Sequence, residues 1–247
     1  AVLMGIDLAE EMAIIHAFQE EANELYVSLR EHIAIHHNNS AELRLGIIRA
    51  TFDPSLKKYE RIEAFEQAIK QTDVIYHIPP NMNVDEIVIG KNVIELAKKY
   101  NLSHLVYHSV LFPNLQNMPH HWNKLFVEEA IIESGLPYTI LQPSSYMNNI
   151  LNDRVNIIEK NIHKVTFSIN SKVNIVSLDD VAEVADKIIG NNSHFYTTYQ
   201  LAGPEMLSAI DKAEILSSVL NRKITALEES ISDFETGAIN NKIDENI

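Results

Sequence analysis

The sequence predicts an α/β fold, a Rossmann-like doubly wound parallel sheet with a small C-terminal α+β cap, and three observations predict it. Strand-length apolar runs alternate with helix-length periodic segments almost to the end of the chain, the pattern of parallel strands joined by crossover helices. The chain begins AVLMGIDLAEEMAIIHAF, a short apolar run, Gly5 and then a helix-periodic segment. Its 247 residues suffice for one large core with an appendage, but not comfortably for two independent domains.

Taken in order, residues 1–6 (AVLMGI), 24–29 (ELYVSL) and 43–50 (LRLGIIRA) read as three strands. KKYERIEAFEQAIKQ (57–71) reads as a helix with Ile62, Phe65 and Ile69 on one face. DVIYHI (73–78) is a buried strand stopped by Pro79 and Pro80, which fix φ and lack an N–H for a sheet ladder. A helix at 84–100, a strand at 103–109 and a helix at 119–134 follow. Pro119 just inside the last helix and Gly135 just beyond it fit the usual asymmetry of helix ends. PYTIL (137–141) is the next strand.

Beyond 141 the alternation loosens. It runs through KVTFSI (164–169), VNIVS (173–177), a helix at 179–189 opened by Asp179 and Asp180, a strand near 195–201 and a helix at 205–220. Residues 1–141 are therefore read as the dinucleotide-binding type of core. Residues 142–247 partly complete it and partly build the cap.

Composition narrows the function. Hydrophobic residues are 46% and charged residues 22% of the chain, the balance of an ordinary globular protein. No apolar run approaches the roughly 20 residues that cross a bilayer, and no leader pattern opens the sequence, so a cytoplasmic location without membrane contact is expected. The absence of Cys removes disulfides, thiolate nucleophiles and Cys-ligated zinc. A formal charge of −14 argues against nucleic acid as partner and for a small molecule or another protein. The oligomeric state is not written in the sequence.

DVIYHIPP (73–80), NVIELAKKYNLSHLVYHSV (92–110), MPHHWNKLFVEEAIIESGLPYTILQPSSYMNNI (118–150), VSLDDVAEVADKII (176–189) and YQLAGPEMLS (199–208) together resemble the NmrA-like branch of the atypical short-chain dehydrogenase/reductase superfamily. The blocks come in that family's order and spacing over about two-thirds of the chain. The resemblance implies a Rossmann fold binding NADP(H) or NAD(H), with cofactor positions at Gly5, Leu8, Glu11, Arg30, His77 and Lys124. The family's three glycines make the tight turn, admit the pyrophosphate and let the helix pack close to the strand. At those positions this chain has Gly5, Leu8 and Glu11, so only the turn glycine is kept.

Leu8 would occupy diphosphate space. Glu10 and Glu11 would take over the positive end of the first helix and repel phosphate, each such pairing costing on the order of a kcal/mol. Acidic residues in a first turn also stabilise the helix itself, so the same residues improve the helix and spoil the phosphate site. Weak or absent dinucleotide binding is the consequence. Arg30 ends the second strand where relatives keep an Arg for the 2′-phosphate of NADP, though it also balances Glu24 and Glu31.

Where the superfamily has its Tyr-x-x-x-Lys motif, this chain has His120 and Lys124, four residues apart and so on one helix face. The resemblance makes Lys124, His120 and Ser109 the candidate catalytic residues. The ammonium would favour a neutral imidazole, which can shuttle a proton. Tyr146 and Asn149 match positions lining the family's substrate crevice. His77, His108, His120 and His121 all fall near the carboxyl ends of strands and offer an alternative, a Cys-free metal site.

Three readings follow. The leading one is a non-catalytic or weakly catalytic sensor or regulatory scaffold. The alternative is an NAD(P)H-dependent reductase of a small carbonyl or quinone-like substrate, and the third is a metal-dependent enzyme built on the histidines.

Overall fold

The computed structural model describes residues 66, 69–70, 72–79 and 83–233, together with the backbone of 45–49. The strands expected at 1–6 and 24–29 lie outside the described residues, as do most of the helix at 57–71 and the positions Gly5, Leu8, Glu10, Glu11 and Arg30.

The described residues fall into two units, one comprising 45–143 with 179–201 and the other 144–178 with 202–233. The first is built on a five-stranded sheet. Its strands are β1 (Leu45–Arg49), β2 (Val74–Ile78), β3 (His104–His108), β4 (Tyr138–Pro143) and β8 (Thr197–Leu201), in the order β1-β2-β3-β4-β8. Every neighbouring pair is parallel, which requires crossover connections. Helix α1 (Glu86–Lys99) joins β2 to β3, and α2 (Pro119–Glu133) joins β3 to β4. Helix α3 (Leu178–Ile188) precedes β8.

β2 and β3 are buried at every position, as central parallel strands must be. One face of the sheet presents Ile75, Leu105, Tyr107 and Ile140 to Val93, Ile94 and Ala97 of α1 and Val127 and Ile131 of α2, forming the main core. Each of the Val, Leu and Ile side chains among them stabilises the fold by about 1.5–3 kcal/mol through burial. The two helices approach closely because α1 carries Gly90: a Cβ there would stand 2.6 Å from a methyl of Val127. Pro119 occupies the first turn of α2, and beyond its end Gly135 adopts φ +74, a conformation glycine enters without steric penalty.

The opposite face holds a polar relay. The Gly190 N–H donates to His104 Nδ1 at 3.2 Å, His104 Nε2 meets Thr139 Oγ1 at 2.9 Å, and Thr139 donates to the His194 carbonyl at 2.7 Å. Nδ1 is thus an acceptor, Nε2 carries the hydrogen, and the ring is neutral. Burial, reinforced by His194, lowers its pKa to about 4.

The second unit contains β5 (Ser145–Tyr146), β7 (Val173–Val176) and β9 (Met206–Leu207) in one small sheet, with β6 (Ile162–Val165) and β10 (Thr225–Glu228) in another. A 3₁₀ segment, Met147–Asp153, and a single π turn, Asn156–Lys160, lie between β5 and β6. Asp153 fastens them to β6, accepting from the Lys164 N–H at 2.7 Å and meeting His163 Nδ1 at 3.1 Å.

Helix α4 is Ala209–Leu220, four residues shorter at its start than the 205–220 expected. Ser208 caps it by accepting from the Asp211 N–H at 3.1 Å while Asp211 accepts from the Ser208 N–H at 2.8 Å, so the chain before Ser208 is free to form β9. Among the described residues, no helix is long and apolar enough to cross a membrane.

Candidate functional site

Ligands of open parallel sheets gather beyond the carboxyl ends of the strands. In the first unit that edge brings His77, His108, Ser109 and Gln142 near the start of α1 and the first half of α2. The register sorts them by face. His77 is aligned with Tyr107, and their rings stand 5.6 Å apart, so both lie on the α1/α2 face. His108 lies on the other face, its Nδ1 2.8 Å from the Tyr76 hydroxyl.

Lys124 and Glu86 form a buried ion pair, Nζ to Oε1 at 2.7 Å, with side chains only 8% and 1% exposed. Tyr107 donates its hydroxyl to the same Oε1 at 3.0 Å, and Lys124 Nζ stands 5.9 Å from the Tyr107 ring centroid. Burial, aided by the Glu86 charge, pushes the Tyr107 phenol well above its ordinary pKa, so it remains a donor. Glu86 Oε2 is buried without a hydrogen-bond partner among the described residues. Of the three N–H groups on Lys124, Glu86 accepts one, and no other acceptor among the described residues takes the rest.

One helical turn before Lys124, His120 is half-buried. Burial first, then His121 and Lys124, lower its pKa and favour a neutral ring. The His120 and His121 rings meet edge to face at 4.6 Å. His121 Nδ1 donates to the Phe112 carbonyl at 3.0 Å, which fixes the position of its hydrogen because a carbonyl can only accept.

Ser109 is buried, and its hydroxyl donates to Glu128 of α2. Gln142 Nε2 donates to both oxygens of the same carboxylate, at 2.9 and 3.0 Å, and Gln142 Oε1 accepts from Gln200 at 3.3 Å. Burial raises the Glu128 pKa despite these donors and the nearby Lys124 charge. The Ser109 hydrogen is therefore directed into the protein rather than outward to a ligand. The resemblance made Ser109 a catalytic candidate; here its hydroxyl hydrogen is taken by Glu128.

His77 and His108 lie on opposite faces of the sheet, so the strand ends do not bring these two rings together on one side. Burial, then Lys124 and His77, lower the His108 pKa to about 3. No group of three or more His, Cys, Asp or Glu side chains among the described residues is arranged to hold a metal ion. Tyr146 and Asn149 belong to the second unit, Tyr146 on β5 paired with Val176 and Asn149 on the 3₁₀ segment, its Nδ2 3.4 Å from Ser145 Oγ.

Sequence reasoning missed Glu86, Tyr107, Glu128 and Gln142. Glu86 lies in the first turn of α1, where the sequence reading singled out no residue. The four-residue spacing of Lys124 and Glu128 was a readable signal that both face inward from α2.

A parallel sheet with crossover helices and polar groups gathered at its carboxyl edge defines a Rossmann-like fold. The chain belongs to the NmrA-like family, which it matches over residues 38–247. It is 36% identical over 102 residues to festuclavine synthase I of Penicillium roqueforti, covering 41% of this chain and 35% of that one. It is also 26% identical over 175 residues to the uncharacterised oxidoreductase YesF of Bacillus subtilis, covering 70% and 59% respectively. The matches to the first curated relatives span only about a third of those relatives' length.

Among solved structures it is similar to the Citrobacter sp. triphenylmethane reductase complexed with NADP(H), with a TM-score of 0.75 and 19% identity over 91% of this chain and 82% of the other. It is likewise similar to the NADPH complex of the Escherichia coli quinone oxidoreductase QOR2, with a TM-score of 0.72 and 19% identity over 91% and 80%. At that identity the likeness shows the fold.

Proposed function

We propose that this protein is an NAD(P)H-dependent reductase of a small carbonyl or quinone-like substrate, with His120 and Lys124 as its reacting pair. The observation that carries the proposal is the half-buried, neutral-leaning His120 one turn from a buried Lys124 whose ammonium is anchored by Glu86. The curated relatives named above are a synthase and an oxidoreductase, and the two solved neighbours are a reductase and a quinone oxidoreductase. They favour this reading over a non-catalytic sensor or scaffold.

A bound reduced nicotinamide dinucleotide supplies the hydride. The donor set fits the sugar end of such a molecule: the Lys124 N–H groups not taken by Glu86 suit hydroxyl acceptors. Lys124 holds and orients. His120 donates a hydrogen bond from its neutral N–H to the substrate oxygen as negative charge develops there, Lys124 adds favourable positive potential, and solvent water supplies the proton that completes the product hydroxyl. Ser109 and Glu128 tie β3 to α2 and thereby fix where His120 stands.

The test is NADPH and NADH oxidation by the full chain with a panel of small quinones and aldehydes, followed by loss of reduced-nicotinamide absorbance. Turnover that falls roughly a hundredfold in His120→Phe is the expected result. Nucleotide binding without turnover of any compound would favour the sensor reading instead.

A further inference from the structure

Two bulky residues of the described chain have backbones in the left-handed region, Phe112 at φ 58 and Tyr196 at φ 57. A large L side chain at such a φ is an outlier and needs a compensating interaction. Tyr196 has one. Its ring packs edge to face on Tyr138 at 5.6 Å and near Phe195 at 6.4 Å, and its N–H bonds the Tyr138 carbonyl at 2.6 Å.

Phe112 has no counterpart. It is 54% exposed and makes no ring contact with another aromatic side chain among the described residues. What holds it is its backbone. The Phe112 carbonyl accepts from His121 Nδ1 at 3.0 Å and from the Leu115 N–H at 3.3 Å, while the Leu111 N–H before it bonds the Pro143 carbonyl at 2.8 Å.

The strained conformation thus has no aromatic partner to offset it, yet a buried histidine next to His120 keeps it in place. Phe112 sits in the loop that leaves the carboxyl end of β3 and enters α2, where Leu115 and Met118 are also exposed. We propose that Phe112 is a specificity-determining residue, held in its left-handed conformation by His121 so that its ring stacks on a planar conjugated substrate of the quinone class. Flat aromatic faces favour offset stacking, which an aliphatic carbonyl compound does not reward. The inference rests on the reductase reading of His120 and Lys124 and deepens it by choosing between its two substrate types.

The experiment uses the full chain, with 1,4-naphthoquinone as probe and Trp122, the single tryptophan, as reporter. Phe112→Gly removes the ring and relieves the backbone; Phe112→Leu keeps apolar bulk without a flat face. The glycine variant is expected to melt about 2–4 °C higher and to bind naphthoquinone roughly tenfold more weakly, with the leucine variant between it and wild type. Both variants should lose more naphthoquinone reduction than aliphatic-aldehyde reduction. Naphthoquinone affinity within twofold of wild type in Phe112→Gly, a lowered melting temperature, or no saturable binding by wild type would each overturn the proposal. Failure of the parent reading looks different, because wild type would then oxidise neither NADPH nor NADH with any substrate.

Discussion

Breaking the Glu86–Lys124 pair should destabilise the protein far more than removing it whole. At 2.7 Å the attraction is about 6 kcal/mol with an effective dielectric near 20. Several kcal/mol of desolvation per ion offset it, so the intact pair contributes little net stability. Removing one partner leaves the other charge buried alone, which costs about 3–5 kcal/mol. For a chain of this size that lowers Tm by about 6–20 °C.

Glu86→Met and Lys124→Met should each show this loss in thermal or urea unfolding. Because Tyr107 donates to Glu86 at 3.0 Å, a double Met variant still leaves one buried hydroxyl without an acceptor, a penalty of about 1–3 kcal/mol. The triple variant Glu86→Met, Tyr107→Phe, Lys124→Met removes every polar member and should unfold within about 1–2 kcal/mol of wild type. It should also have lost NAD(P)H-dependent turnover, which separates folding from function. Single variants as stable as wild type, or a triple variant as damaged as the singles, would refute the reasoning.

Acid should weaken the fold through the buried histidines. His104 and His108 have folded pKa values lowered to about 4 and about 3 from an ordinary 6.5, so the unfolded chain takes up protons first. The stability their neutral forms contribute is complete above pH 6.5 and is lost as pH falls toward those values. His104→Asn should flatten part of that loss in Tm measured from pH 7 to 4. Glu128 has the opposite sign. Its folded pKa is raised from 4.5, so its contribution is complete below 4.5 and declines as pH rises through the folded value. The Tm of Glu128→Gln should therefore gain on wild type as pH rises above 4.5, and a constant difference would show that Glu128 is not disfavoured as a charged group.

The sequence made the central strands legible because both faces of a parallel sheet are covered, which turns DVIYHI and HLVYH into unbroken apolar runs with flanking punctuation. Helix α2 was legible from Pro119 and Gly135. The start of α4 lies at Ala209 rather than 205 because Ser208 and Asp211 carry the capping signal. β6 occupies 162–165 rather than lying within 164–169, and it pairs in parallel with β10, a partner some 60 residues away.

The site was legible in part. Spacing alone placed His120 and Lys124 on one face, but the partners of Lys124 and Ser109 are 38 and 19 residues distant in sequence and meet only through tertiary packing. The arrangement of the four histidines was hidden for a related reason. Strand parity gives alternate faces within one strand, but His77 and His108 could be sorted only once the register aligned His77 with Tyr107.

The central claim is that the chain takes a reduced nicotinamide dinucleotide although its sequence has Leu8 and Glu11 at two of the family's three glycine positions. Calorimetric titration of the full chain with NADPH tests it most directly. One saturable site with Kd between about 1 μM and 1 mM, weakened in Lys124→Met, is the predicted result. A flat titration to several times that concentration would contradict it.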